Sequence, residues 1–304
     1  MPLSNITFIG HYGLSLIMDV NRFAVPGETT EGTTLITEPG GKGYNQAVAA
    51  ARLGASVGFI TAVGGDDFGK NCENDLAYEG VVSRNIIEFP ERRTACAFVI
   101  NSDEKQSEVY VYPGAIRDVK PFHIEKYADV ISKSKLLVVQ NEISTEALVK
   151  AIDIAYKAGV PVIYNPAPAR DIPLEIYKKV DCITPNETEA AILTGAMPDE
   201  ELDIEAAINS LHKFGVPNVI ITLGGRGAAV SLNGKLTIIP ALDVSVASTT
   251  GAGDSFNAAL AVHFSKSGDY LESTRYAIAT SAISVSRPGV VASFPYKNEI
   301  KLEG

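Results

Sequence analysis

The segment Thr249-Thr250-Gly251-Ala252-Gly253-Asp254-Ser255-Phe256 runs small residues straight into an apolar helical stretch. A helix start leaves several backbone N–H groups unpaired and gathers partial positive charge, and glycines let an anion come close. The N–H groups of Gly251, Ala252 and Gly253 are therefore a candidate anion hole. Asp254 in the first turn would repel a bound phosphate. It either handles the proton of a nucleophile beside that anion or is an ordinary N-cap.

A second cluster, Gly40-Gly41-Lys42-Gly43-Tyr44-Asn45-Gln46, also precedes a helix and offers a cation and an amide side chain at close range. That combination holds a polyhydroxyl ligand, or is a tight turn with an exposed lysine. In Thr184-Pro185-Asn186-Glu187-Thr188-Glu189, Asn186 sits at a helix cap and Glu189 about one turn later. The pair orders the waters of Mg²⁺ or forms a capping box and nothing more. Thr222-Leu223-Gly224-Gly225-Arg226-Gly227 closes a strand, where ligands bind in open α/β sheets. Neither glycine cluster before a helix matches GxxxxGK[ST] or carries the acidic partner of a dinucleotide fingerprint. His11, His123, His212 and His263 show no zinc spacing and no GxSxG elbow occurs, which argues against a zinc enzyme or a serine hydrolase.

The elements that must position these groups alternate. Strands are predicted at 6–9, 57–63, 136–139, 160–164, 182–184 and 219–223, and helices at 45–53, 68–78, 145–158, 187–193, 204–214, 251–264 and 273–285. This rhythm predicts βαβ units around a largely parallel sheet. It breaks at 94–100 and 108–112, which read as a hairpin around Asn101-Ser102-Asp103-Glu104-Lys105, and at 228–232 and 236–239, joined by Asn233-Gly234. The 20–37 region reads as extended chain outside the main core that pairs with the 94–112 hairpin, as a lid, a dimer surface or a covered edge.

The 304 residues carry a formal charge of −10, with 46% hydrophobic and 20% charged residues. That is a globular protein of two domains or one large α/β domain. With no run of Lys or Arg it is no nucleic-acid binder. Three distant cysteines, Cys72, Cys96 and Cys182, fit a reducing cytoplasm. The N-terminus lacks a basic region before an apolar stretch, and no segment offers about 18 apolar residues in a row, so neither a signal peptide nor a membrane span is expected.

In order along the chain, GGKGYNQAVAA (40–50), NPAPAR (165–170), TPNETEA (184–190), TLGGRGA (222–228) and TTGAGDSFNAAL (249–260) resemble the ribokinase-like, PfkB-type carbohydrate kinases. The resemblance covers essentially the whole chain and is nearest to the ribokinase branch, including Pro26-Gly27-Glu28-Thr29. It implies one kinase domain over 1–304, a three-layer α/β/α sandwich with a mostly parallel central sheet, and a β-sheet lid from about 12–38 and 94–112. It implies transfer of the ATP γ-phosphoryl to a sugar hydroxyl, with Asp254 as base and Gly251, Ala252 and Gly253 as the anion hole. Asn186 and Glu189 match the Mg·ATP motif; Thr222, Gly224, Gly227 and Gly253 fall where the family holds nucleotide. Ile278 replaces a polar residue and adds apolar contact to the adenine. Gly41, Lys42, Gly43, Asn45, Glu142 and Asp254 fall where ribokinases hold sugar, and a homodimer through the lid is implied.

Two departures stand out. Where ribokinases carry Asn-x-Asp after the first strand, this chain has Gly13-Leu14-Ser15, which predicts altered acceptor choice and a gain in ribose use on restoring Asn at 13 and Asp at 15. Ser248 stands in place of an aspartate of the monovalent-cation loop, whose other positions are Thr250, Ser284, Arg287, Gly289 and Ser293; the loss of that charge leaves K⁺ activation open. Two other functions fit the same chain. A nucleoside kinase would use an aromatic or apolar pocket around Tyr12, Leu14 and Tyr44; a non-catalytic sugar sensor would bind without turnover.

Overall fold

The structure, a computed structural model, describes residues 5–103, 106–196 and 202–301. Glu104 and Lys105 of the expected turn, and the first four residues of the chain, lie outside them.

The strands are β1 Ile6–Ile9, β2 Gly13–Val20, β3 Gly32–Gly40, β4 Val57–Gly64, β5 Ser83–Phe89, β6 Ala95–Ser102, β7 Ser107–Tyr112, β8 Leu136–Gln140, β9 Val162–Asn165, β10 Cys182–Ile183, β11 Asn218–Thr222, β12 Ala228–Leu232 and β13 Lys235–Ile239. The helices are α1 Lys42–Arg52, α2 Asp67–Tyr78, α3 Pro121–Glu125, α4 Ala128–Ser132, α5 Thr145–Ala158, α6 Leu174–Tyr177, α7 Glu187–Thr194, α8 Ile204–Phe214, α9 Ala252–Ser267 and α10 Tyr270–Val285. Nine strands form one sheet in the order β13-β12-β11-β10-β9-β8-β1-β4-β5. All its pairs from β11 to β5 are parallel; β12 and β13 add an antiparallel edge.

Side chains alternate across a strand, so a sheet covered on both faces reads as unbroken apolar runs. Phe8, Phe59 and Val138 face the layer of α1, α9 and α10, while Ile9, Ile60 and Val139 face α5, α7 and α8. This is the expected three-layer sandwich. Within it α9 is buried nearly all round, and its run Ala258-Ala259-Leu260-Ala261 keeps side chains small enough for α1 and α10 to close on it.

A second sheet has the order β3-β2-β6-β7. β2 pairs with β3 antiparallel and with β6 parallel, in register Gly13↔Ala95, and β6 and β7 form the expected hairpin. The extended segment thus begins at Gly13 and ends at Gly40, longer than the predicted 20–37 at both ends. The β12–β13 turn holds Asn233 and Gly234 at φ 50° and 83°, the left-handed pair that a tight hairpin needs. β5 was not predicted. Its polar residues hide it, but Asn85 is buried and donates to the Phe59 and Ser83 carbonyls. Among the described residues no helix is long and apolar enough to cross a membrane.

Candidate active site

The carboxyl ends of β1, β8, β9, β10 and β11 point at the N-termini of α1, α7 and α9, the crevice where open α/β sheets bind ligands. Asp254 lies on the first turn of α9 but does not cap it; the N-cap is Gly251, at φ 81°, with no side-chain bond. Instead the Asp254 carboxylate, 7% exposed, accepts from Asn45 Nδ2 at 2.8 Å and Gln46 Nε2 at 3.0 Å. Both donors come from α1, so the glycine-rich helix start and the aspartate form one unit. Burial pushes the Asp254 carboxyl above its ordinary pKa and nearby Glu142 adds to the rise, against the pull of Lys42 and the two amides.

The Ala252 N–H is spent on Thr249 O at 3.2 Å. Of the three expected anion-hole donors, Gly251 and Gly253 therefore keep N–H groups with no acceptor among the described residues.

Gly41 caps α1 at φ 105°, a conformation few side-chain-bearing residues adopt, and a β-carbon there would lie 2.6 Å from His11 O. The first free N–H of the helix, on Lys42, donates to Glu142 Oε2 at 2.7 Å. The Lys42 side chain is not the solvated lysine of an ordinary turn. Desolvation pulls its ammonium down, but Asp254, Glu142 and Glu189 together outweigh that and hold it above the usual lysine value. Burial likewise pushes Glu142 up, yet His11 and Lys42 keep its carboxyl below the ordinary range.

A groove of about 740 Å³ opens from the start of α9, and Asn186, Thr222, Gly224, Gly227, Gly253 and Ile278 all line it. Val244, Val246 and Ala282 give it an apolar wall. Asn186 and Glu189 form a true capping box, Asn186 Oδ1 accepting from Glu189 N and Glu189 Oε2 from Asn186 N. The box uses one oxygen of each side chain. Burial raises the Glu189 carboxyl, and the charges it feels include Lys42 and Asp254.

Ser248, Thr250, Ser284, Arg287, Gly289 and Ser293 gather around the end of α10. Ser248 N and Ala247 N donate to Val285 O, Ser248 Oγ accepts from Thr250 N, and Ser284 O accepts from Arg287 N. Arg287 pairs with Glu299, and Ser293 Oγ donates to Val290 O. Glu38 of β3 also reaches this loop, accepting from the Val290 backbone.

Two expectations fail on geometry. Tyr12 and Tyr44 do not line a pocket; each is 2% exposed, their rings meet edge-to-face at 5.3 Å, and Tyr12 donates to Asp75. Gly13 cannot simply receive an asparagine, because its β-carbon would lie 2.5 Å from the Ala95 carbonyl oxygen across the β2–β6 pair. Ser15 stands in β2 opposite Glu38, its Oγ 2.6 Å from where a β-carbon on Gly40 would lie.

Sequence reasoning missed the network behind Asp254. Gln46 donates also to Asn165, and accepts from Gln140 at 2.6 Å. Asn165 donates to Thr184 O, Thr184 to Asn257 Oδ1, and Asn257 to Gly253 O. The signal is a polar residue ending an apolar strand, as in LLVVQ and VIYN.

The profile of the pfkB family carbohydrate kinases matches residues 4–297. The chain belongs to that family. A ribokinase of Haemophilus influenzae is 36% identical over 294 residues, covering 97% of this chain and 96% of that one. A deoxyribokinase of Salmonella typhimurium is 34% identical over 292 residues, 96% and 95% of the two chains. The structure of an Arabidopsis thaliana ribokinase complexed with ribose and ATP superposes with a TM-score of 0.91 at 28% identity, covering 98% of both chains. As a pfkB carbohydrate kinase, the protein is a phosphotransferase that uses ATP as co-substrate.

Proposed function

We propose that this kinase transfers the γ-phosphoryl of ATP to a hydroxyl of a pentose, D-ribose or 2-deoxy-D-ribose. The observation that carries the reading is the buried Asp254 carboxylate, aimed by two amides and set where the nucleotide groove meets the Lys42–Glu142 corner. The ribokinase and deoxyribokinase relatives supply the acceptor class.

The apolar wall of Val244, Val246 and Ala282, with Ile278, takes the adenine, and Thr222, Gly224 and Gly227 let the nucleotide backbone approach. Gly41, Lys42, Gly43, Asn45 and Glu142 hold the acceptor. Asp254 takes the proton of its hydroxyl; that oxygen bonds to the γ-phosphorus as the bond to the β-phosphate oxygen breaks, releasing ADP. The N–H groups of Gly251 and Gly253 and the Lys42 ammonium face the charge that builds up. Magnesium fits the one oxygen that the Asn186–Glu189 box leaves over, the second carboxylate oxygen of Glu189, near a phosphate groove that Asn186 lines. When bound there it neutralises phosphate charge.

The test is ADP release with Mg·ATP against pentoses, deoxypentoses, ketoses, hexoses and nucleosides, with and without K⁺. A pentose as the best acceptor is the expected result. A nucleoside as best acceptor overturns the reading, and ATP binding without transfer to any sugar favours the sensor. The burial of Tyr12 and Tyr44, which leaves neither ring exposed for a base to stack on, supports the pentose over the nucleoside.

We also propose that the chain is a homodimer through the small sheet and works in the cytoplasm, where its three unpaired cysteines stay reduced. Leu35 and Tyr110 are 66% and 60% exposed, and Ile36, Val109 and Val111 are exposed beside them. Neighbouring residues of one strand point to opposite faces, so both faces of this sheet are apolar and uncovered. One face closes over the acceptor and a second copy covers the other. Sedimentation velocity is expected to give a dimer that Tyr110→Lys with Leu35→Glu, two positions on one face of the sheet, converts to monomer; a monomeric wild type refutes the assembly.

A further inference from the structure

Three polar atoms at the Asp254 corner are buried with no hydrogen-bond partner: His11 Nε2, Asn45 Oδ1 and Gln140 Oε1. Buried polar groups are nearly always paired, and each exception needs an explanation. Asn45 and Gln140 already belong to the Asp254 network through their amide nitrogens. His11 does not.

The His11 imidazole is 5% exposed and sits among residues we assign to the acceptor. Its Nδ1 lies 3.5 Å from Glu142 Oε2, the same oxygen that receives the Lys42 N–H. A β-carbon on Gly41 would lie 3.1 Å from its Cγ, and one on Gly13 3.0 Å from its Nε2. The ring thus fills the space that the two glycines leave, with Nε2 on the Gly13 side. Backbone bonds fix it there, since His11 O accepts from Tyr44 N of α1. Nδ1 faces the Glu142 carboxylate, which accepts and does not donate, so the proton shared along that contact sits on Nδ1 and Nε2 is the ring atom left for a ligand.

We infer that His11 is a specificity-determining residue of the acceptor site, its Nε2 accepting a hydrogen bond from a hydroxyl of the sugar. The inference rests on the pentose-kinase reading. Gly13 offers no side chain and the Ala95 carbonyl forbids one. His11 supplies the polar group at that point of the pocket.

The experiment compares wild type with His11→Phe, His11→Gln and His11→Asn, using whichever of D-ribose and 2-deoxy-D-ribose has the higher kcat/KM. The amide of glutamine reaches about where Nε2 stands, and that of asparagine about where Nδ1 stands. His11→Phe is expected to raise the acceptor KM about ten- to a hundred-fold, the range for leaving one buried polar group unpaired, with the KM for ATP unchanged. His11→Gln restores most of the loss and His11→Asn does not. Unchanged acceptor KM in His11→Phe, or rescue by Asn and not by Gln, overturns the proposal; the second outcome makes His11 a prop for Glu142. Should the variants fail to fold, the ¹⁵N resonance of His11 Nε2 in the wild type decides: it moves when the sugar is added, and an unmoved resonance during turnover refutes the contact. No transfer by the wild type to either pentose overturns the pentose reading and this proposal with it, whereas turnover with an indifferent His11 overturns only the latter.

Discussion

Asparagine in place of Asp254 is expected to lower kcat by about 10²- to 10⁴-fold, the usual cost of losing a general base, with the KM for ATP and the melting temperature close to those of the wild type. The variant keeps the shape and loses only the proton acceptor. Its amide can still be satisfied, because Asn45 Oδ1 has no partner and a flip of that side chain turns an acceptor toward the new N–H. Gln46 continues to donate to the remaining oxygen. The pH dependence gives a second signature. Burial raises the Asp254 pKa, so the carboxylate is lost as pH falls through a value above the ordinary one, and the acid limb of kcat/KM lies above the usual carboxylate range. In Asp254→Asn the residual rate lacks this limb. A variant with wild-type kcat would show that the proton leaves by another route and that the α9 aspartate serves only to hold α1.

The order of strands and helices was legible because both faces of the large sheet are covered, which writes each central strand as a block such as LLVVQ. β5 was not legible for the same reason in reverse. It pairs on one side only, and its buried Asn85 looks like a loop residue until its two carbonyl partners are in place. The site divides in a similar way. Glycine clusters mark helix starts in any chain, so Gly41 and Gly251 could be found by spacing. The junction between them could not, since Asn45 and Asp254 are 209 residues apart and meet only when α1 packs on α9. Gly13 shows a different limit. In sequence it is a missing side chain that a substitution would restore; in the sheet it is a position closed by the Ala95 carbonyl and the His11 ring. The capping box at Asn186 was an alternative to a ligand role in the sequence, and the structure leaves that role to Glu189, whose second carboxylate oxygen stays outside the box while the only side-chain oxygen of Asn186 is used in it.

Lys42→Met is expected to lower kcat by about 10²- to 10³-fold, the scale for removing one donor aimed at developing charge, and to move the acid limb of kcat/KM to higher pH. Both effects come from one ammonium placed among Asp254, Glu142 and Glu189. Taking it away leaves the Asp254 carboxylate with desolvation and the Glu142 charge, each of which favours its protonated form, and removes the cation that opposed them. The base is then protonated over a wider range of pH. Lys42→Arg keeps the charge and is expected to keep the limb near its wild-type position, while losing rate because a planar guanidinium does not fit where a compact ammonium stood. The pH profiles of kcat/KM for the three proteins make the test. A fall in rate with no shift of the limb would separate Lys42 from Asp254 and leave it acting on phosphate alone. A rise in acceptor KM at unchanged kcat would instead confine Lys42 to holding the sugar, with no part in the transfer, because interactions equal in ground and transition state change KM only. The combination of lower kcat and a shifted limb is what a single cation must produce when it serves both the base and the transferring group.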